Sequence, residues 1–393
     1  MKKTMISLLT AAALLTALAP VGVQAGSSAA DTAQSVQAAK HADDRVLVKF
    51  KQGKQVEQAL DKHGLKEFRT LGKGEWKLVK VPKGQAEEFH TKLQGDADVE
   101  AAELDSVHTM FRTPNDPQYS SQWHWPNIYA PQAWDITTGN SMYKIAIIDT
   151  GIDYQHPDLA GKLLPGYDFA NNDSDADDDQ GHGTHVAGTA SALTNNANQV
   201  AGLDWNARLL PVKVLNASGS GYTSDIIDGL YFAADNGAHA VNMSLGGGGY
   251  SQAFQDAINY LWGRGGILVA AAGSSSTSGY SYPAAYNNVV AVAATTTSNT
   301  KASFSNYGTW VEVAAPGTNI LSTANGGGTS TMSGTSMAAP QVAGLVTLVR
   351  SVMPGATNQA VIDRICNTAD RITGTGTYWS CGKINAFRAV RGY

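Results

Sequence analysis

Between residues 144 and 292 five short apolar runs recur, separated by turns and by stretches of helical spacing, and this alternation leaves few folds open. The runs span 144–148, 207–214, 240–243, 266–271 and 289–292, while 224–236, 252–262 and 336–352 carry the helical period. Runs that are apolar at nearly every residue suit strands buried on both faces. The expected fold is therefore α/β, three layers with a mainly parallel central sheet, and its chemistry belongs in the turns after the carboxyl ends of the strands.

Residues 1–111 follow another pattern. Lys2 and Lys3, an apolar run over 5–19 and the triplet Val23-Gln24-Ala25 read as a signal peptide over 1–25. Thr4, Thr10, Thr16 and Pro20 interrupt that run, and no later stretch approaches the ~18 apolar residues of a membrane span. A secreted, extracellular protein, free of the membrane after cleavage, is expected. Residues 26–44, small and polar, read as a linker. Structure is expected from Arg45: a strand at 45–51, a helix at 56–63, a strand at 76–81, a helix at 86–93 and an extended stretch at 99–110. Together they make a small α+β domain over 45–111, and Pro114 and Pro117 forbid a helix beyond it.

With 43% hydrophobic and 16% charged residues over 393 positions, the chain is no disordered protein and supports a large core. Residues 1–111 carry a net charge of +1 and 112–393 of −6, so the larger part lacks the basic footprint that nucleic acid requires. Export permits disulfides; Cys366 and Cys381 allow one bridge or two free thiols.

Three motifs sit where the alternation puts chemistry. Asp149 ends the first apolar run and is followed by Thr150-Gly151; alone it could equally hold a metal or a ribose. The second motif is Gly181-His182-Gly183-Thr184-His185, whose histidines at i and i+3 miss the i, i+4 spacing and the glutamate of zinc proteases. The third is Gly334-Thr335-Ser336, just before a long apolar helix, where a serine is often only a cap. Together they fill three complementary roles. A serine hydroxyl needs a histidine to take its proton, and that histidine needs a carboxylate to fix its tautomer and stabilise its charged form. At a helix start the Ser336 N–H also points where an oxyanion develops.

The order Asp149, His182, Ser336 and the motifs around them resemble the subtilisin-like serine proteases, over most of 112–393; 130–135 and 374–379 look like strings of one branch of that family. The resemblance implies a peptidase domain over 112–393 acting through an acyl-enzyme, with His182 as base and His185 packed behind the site. Where the family carries an asparagine that donates to the oxyanion, this chain has Ser274 after Ala271-Ala272-Gly273. Losing that donor costs about 10²–10³ in turnover, a figure measured on subtilisin itself, so a slow protease is expected. The rival class is a protease-like peptide binder with a vestigial triad.

Ser218-Gly219-Ser220-Gly221 and Ser244-Leu245-Gly246-Gly247 look like the family's peptide-binding strands, and with Ala271, Ala272 and Gly273 they would wall the pocket for the residue before the scissile bond. None is acidic, which favours large apolar or aromatic residues over Lys or Arg. Six aspartates, Asp168, Asp173, Asp175, Asp177, Asp178 and Asp179, crowd the loop before His182 and would repel one another without a cation. The resemblance implies calcium on Asp168, Asp173, Asp175 and Asp177. It implies a tighter site on Asp116, Asp158, Asn196 and the carbonyls of Leu193, Asn198 and Val200. Residues 45–111 resemble the family's propeptide, an intramolecular inhibitor removed by self-cleavage at Phe111-Arg112 from a monomeric enzyme that acts on polypeptides.

Overall fold

The computed structural model describes residues 41–72, 74–107 and 112–391, so the signal segment, most of the 26–44 linker and Phe111 lie outside the described residues. The chain divides into two units, between residues 109 and 110. The first holds a four-stranded antiparallel sheet in the order β2-β3-β1-β4. Its strands are β1 (His41–Phe50), β2 (Phe68–Thr70), β3 (Trp76–Lys80) and β4 (Val99–Ser106), and its helices are α1 (Val56–Asp61) and α2 (Ala86–Gln94). Val46, Val48 and Phe50 alternate inward from β1 to meet Leu60, Phe89 and Leu93. Two expectations need correction. β1 begins at His41, four residues into the supposed linker, because backbone pairing of His41 with Ser106 extends it through a bulge that apolar alternation cannot reveal. The three-residue β2 at the sheet edge has no period to read.

The second unit begins with two short helices, α3 (His124–Asn127) and α4 (Ala130–Ile136). Its eight-stranded sheet is parallel throughout, in the order β14-β11-β10-β9-β8-β5-β7-β6. The strands are β5 (Lys144–Asp149), β6 (Tyr167–Asp168), β7 (Arg208–Lys213), β8 (Ala240–Met243), β9 (Ile267–Ala271), β10 (Val289–Thr295), β11 (Val313–Pro316) and β14 (Gly382–Lys383). A separate hairpin joins β12 (Ile320–Ala324) to β13 (Gly328–Met332). Central β5 shows why the sheet has two covered faces. Its side chains alternate, Ile145 and Ile147 facing a core with α5 (His182–Ser191) and α8 (Thr335–Val352), Ala146 and Ile148 facing one with α6 (Thr223–Asp235) and α7 (Gln252–Gly263). All four are fully buried.

Helix α8 runs under β8, β9, β10 and β11 and packs on α5 so closely that a Cβ on Gly344 would lie 2.7 Å from the Ala190 carbonyl oxygen. That packing holds two chemistry-bearing helix starts in one frame. Helices α9 (Asn358–Asn367) and α10 (Ala386–Arg391) close the fold. Cys366 at the end of α9 is bridged to Cys381 beside β14, closing a 15-residue separation; a loop of that size stabilises by about 3 kcal/mol through the unfolded chain. Among the described residues no helix is long and apolar enough to cross a membrane.

Candidate active site

Asp149 is the last residue of β5 and is fully buried, its Oδ1 accepting the Thr150 N–H at 2.8 Å and facing His182 Nδ1 at 2.7 Å. Its Oδ2 is buried with no hydrogen-bond partner. A carboxylate so desolvated is strongly biased toward a neighbouring cation. The imidazole supplies one when protonated. Burial, the largest influence, favours the neutral ring, but the charge and hydrogen bond of Asp149 and the charge of Asp178 outweigh it and raise the His182 pKa above 6.5. With Nδ1 committed to Asp149, Nε2 is the nitrogen left for proton transfer.

His182 opens α5, and the glycine after it lets that helix approach β5. A Cβ on Gly183 would come within 2.1 Å of the Gly151 carbonyl oxygen. His185, one turn on, is fully buried, with Nε2 on the carbonyls of Ile320 and Ser330 at 3.0 and 3.2 Å, and burial first of all lowers its pKa to about 4. It lies behind the site.

Ser336 is the second residue of α8, where the N–H has no carbonyl one turn back and is free for an outside acceptor. Pro340, four residues on, lacks the N–H that would bind the Ser336 carbonyl. Ser244 Oγ takes that place, donating to the carbonyl at 2.7 Å, while Ser336 Oγ donates to the Ser244 carbonyl at 3.1 Å. The reciprocal pair pins the start of α8 to the segment after β8. Buried Asn242 in turn donates to Ser244 Oγ at 2.9 Å. Neither Asn242 nor this use of Pro340 came from motif reading, although a proline inside a long apolar helix was a visible signal. Ser274 lies at the same helix start: its Oγ accepts the Thr335 N–H and contacts Thr335 Oγ1, both at 3.3 Å.

A groove of about 540 Å³ runs beside His182. Ser218, Gly219, Ser220 and Gly221 line it together with Ser244, Leu245, Gly246 and Gly247. Ala271, Ala272 and Gly273 are not among the residues lining this groove; Ala271 and Ala272 pack into the cores on opposite faces of the sheet. Aromatic residues line it as well. Phe254, Tyr282 and Tyr286 line the groove, Phe254 stacked on Tyr286 with ring centres 5.0 Å apart. They follow no chemistry-bearing motif, so the sequence offered no signal for them.

The acidic loop is held by local hydrogen bonds. Among the described residues no three His, Cys, Asp or Glu side chains gather as a metal cluster. Asp168 accepts from Asn171, Asp173 from the Asp175 N–H, Asp175 from the Asp177 N–H and Asp177 from the Tyr154 N–H. Local turns thus give each of these carboxylates a hydrogen-bond donor. Asp179 pairs with buried Lys213 at 2.6 Å. The second expected set does come together: Asp116 accepts from the Asn195 and Asn196 N–H groups, and Asp158 from Asn196 Nδ2 and the Val200 N–H.

Residues 140–383 match the subtilase family, and residues 27–105 match the fervidolysin N-terminal prodomain. A thermophilic serine proteinase of Bacillus sp. (strain AK1) is 43% identical over 377 residues, 94% of this chain and 92% of that protein. Thermitase of Thermoactinomyces vulgaris is 49% identical over 281 residues, 71% of this chain and 99% of thermitase. A solved protease of Pseudoalteromonas arctica PAMC 21717 superposes with a TM-score of 0.65 at 36% identity, over 71% of this chain and 99% of that one. A sheet-end carboxylate on an imidazole, a serine at a helix start and a prodomain ahead of them agree with these relatives: the chain belongs to the subtilase family of serine proteases.

Proposed function

We propose that Asp149, His182 and Ser336 are the catalytic triad of a secreted endopeptidase made as a self-processing zymogen. The observation that carries this reading is the 2.7 Å contact of His182 Nδ1 with a buried, otherwise half-unsatisfied Asp149 carboxylate. His182 Nε2 takes the Ser336 proton as Oγ attacks the scissile carbonyl, which requires the hydroxyl to leave the Ser244 carbonyl. Asp149 stabilises the imidazolium, which then protonates the leaving amine; water repeats the sequence on the acyl-enzyme. The oxyanion meets the Ser336 N–H at the start of α8, with Ser274 as the second donor. Ser274 Oγ carries one hydrogen, which Thr335 Oγ1 also attracts. That competition is why turnover is expected to be low.

An extended substrate pairs its backbone with the Ser218–Gly221 and Ser244–Gly247 segments. The neutral groove and its aromatic residues favour large apolar or aromatic side chains before the cleaved bond. The prodomain serves as inhibitor until cleavage at Phe111-Arg112, and residues 1–25 direct export.

Calcium suits the Asp116, Asp158 and Asn196 set. Asp116 is 4% exposed and Asp158 fully buried, and burial first, then the charge of Asp158, raises the Asp116 pKa. Two buried carboxylates that repel one another fit a hard divalent cation, with the carbonyls of Leu193, Asn198 and Val200 completing an oxygen set. The bound ion would brace the loop against α5.

Three outcomes follow. In calcium, the full chain is cut near residue 111 and hydrolyses casein, Ser336→Ala does neither and loses about 10⁶ in kcat, and Ser274→Asn gains up to about 10²–10³; mass spectrometry showing an active form that begins upstream of Met110 contradicts the zymogen reading. Because the base must be neutral and its pKa is raised, kcat/KM falls on acidification with a midpoint above 6.5; Asp149→Asn moves that midpoint down and lowers kcat about 10⁴-fold. Excess chelator lowers the thermal midpoint of wild type but not of Asp158→Asn, and an unchanged wild-type midpoint rejects the calcium site.

A further inference from the structure

Gly181 stands at the cap position of α5 and has no side chain to cap it. The first N–H groups of that helix must therefore find acceptors elsewhere, and they hold the residue that carries the imidazole. Asp178, three residues earlier and 4% exposed, receives two of the four, those of Gly181 and Thr184, while Gln180 Oε1 accepts the His182 N–H at 2.9 Å. Its Oδ1 accepts the Gln180 and Gly181 N–H groups at 3.0 and 2.8 Å and the Thr150 hydroxyl at 2.8 Å; its Oδ2 accepts the Thr184 N–H and hydroxyl at 2.9 and 2.5 Å. The Thr150 oxygen accepts the Gly183 N–H at 2.9 Å. Thr150 directly follows Asp149. One buried carboxylate thus ties the segment carrying Asp149 to the first turn carrying His182. Its negative charge also lies at a helix N-terminus, where the macrodipole favours it.

We propose that Asp178 is a positioning residue of the peptidase, acting through Thr150 and the first turn of α5 to hold the His182 ring against Asp149. The proposal rests on the serine-protease reading of Asp149, His182 and Ser336. Of the six acids that crowd this loop, Asp178 is the one with five donors from its own chain. Neighbouring Asp179 turns outward to Lys213, whose ammonium also donates to the carbonyls of Thr150 and Leu215 at 2.7 and 2.9 Å and so braces the same turn from below. A displacement of about 1 Å at a catalytic base is enough to lose ~10² in rate without changing what the groove binds.

The test is turnover per active site. Mature wild type, Asp178→Asn and Thr150→Val are titrated with a fluorophosphonate to count competent sites, and kcat and KM are then measured on a peptide anilide from pH 5 to 9, beside Ser336→Ala. The expected result is a kcat per titrated site 10- to 100-fold lower in both variants, with KM within about threefold of wild type. The charged or titratable groups acting on the His182 ring are Asp149 from β5, Asp178 from the preceding loop and His185 from α5 itself. Asp178→Asn removes one of them and moves the acid limb of kcat/KM to lower pH, whereas Thr150→Val, which leaves the charge, does not. Wild-type kcat per titrated site in the variants, with only the number of sites reduced, overturns the proposal and leaves Asp178 a stabiliser. If Asp178→Asn yields no competent sites, Thr150→Val decides alone, and wild-type kcat there overturns the proposal. Activity in Ser336→Ala equal to wild type overturns the serine-protease reading itself.

Discussion

A carboxylate fully removed from water at the end of a parallel strand, with one oxygen on an imidazole and the other unpaired, is costly to bury, and much of the fold is arranged around it. Leaving Asp149 charged and uncompensated would be strongly unfavourable. The imidazole relieves the cost only if α5 approaches β5 within hydrogen-bond distance. Gly183 permits that approach because any side chain there would strike the Gly151 carbonyl. The parallel sheet supplies the rest, since all its strands end on one side and the turns following them converge there.

Ser336 comes to this frame by a different device. Pro340 opens the first turn of α8 and leaves the Ser336 carbonyl without its helical donor, and the Ser244 hydroxyl fills the gap. A helix defect is thereby turned into a link between Ser336 and one wall of the groove. Asn242, Ser244 and Ser336 form a single hydrogen-bonded chain from the buried strand to the surface. The glycine-rich segments on either side keep the groove open at backbone level, which suits an extended peptide better than any one side chain.

The large features were legible in the sequence because they follow from period and burial. Ile145 to Ile148 are apolar at every position since β5 is covered on both faces, and the strand, helix, strand, helix order of the small domain shows in the alternation of Val46, Val48 and Phe50. The motifs around Asp149, His182 and Ser336 and the glycine-rich segments that line the groove stood out in the sequence. What escaped reading was contacts that no motif encodes. Backbone N–H groups two or three residues on, and the Tyr154 N–H for Asp177, bind the aspartates of 168–177. Phe254, Tyr282 and Tyr286 line the groove, brought there from α7 and from the loop between β9 and β10. The paired His41 and Ser106 extend a strand by backbone bonds alone, to which composition is blind.

The central claim is that His182, held by Asp149, makes Ser336 the one nucleophilic serine of the chain. Reaction with an alkyl fluorophosphonate, followed by peptide mass spectrometry, tests it most directly. The account predicts one label per chain, on Ser336, at a rate that falls by orders of magnitude in His182→Ala. A label on another serine, or on Ser336 at an unchanged rate without His182, would contradict it.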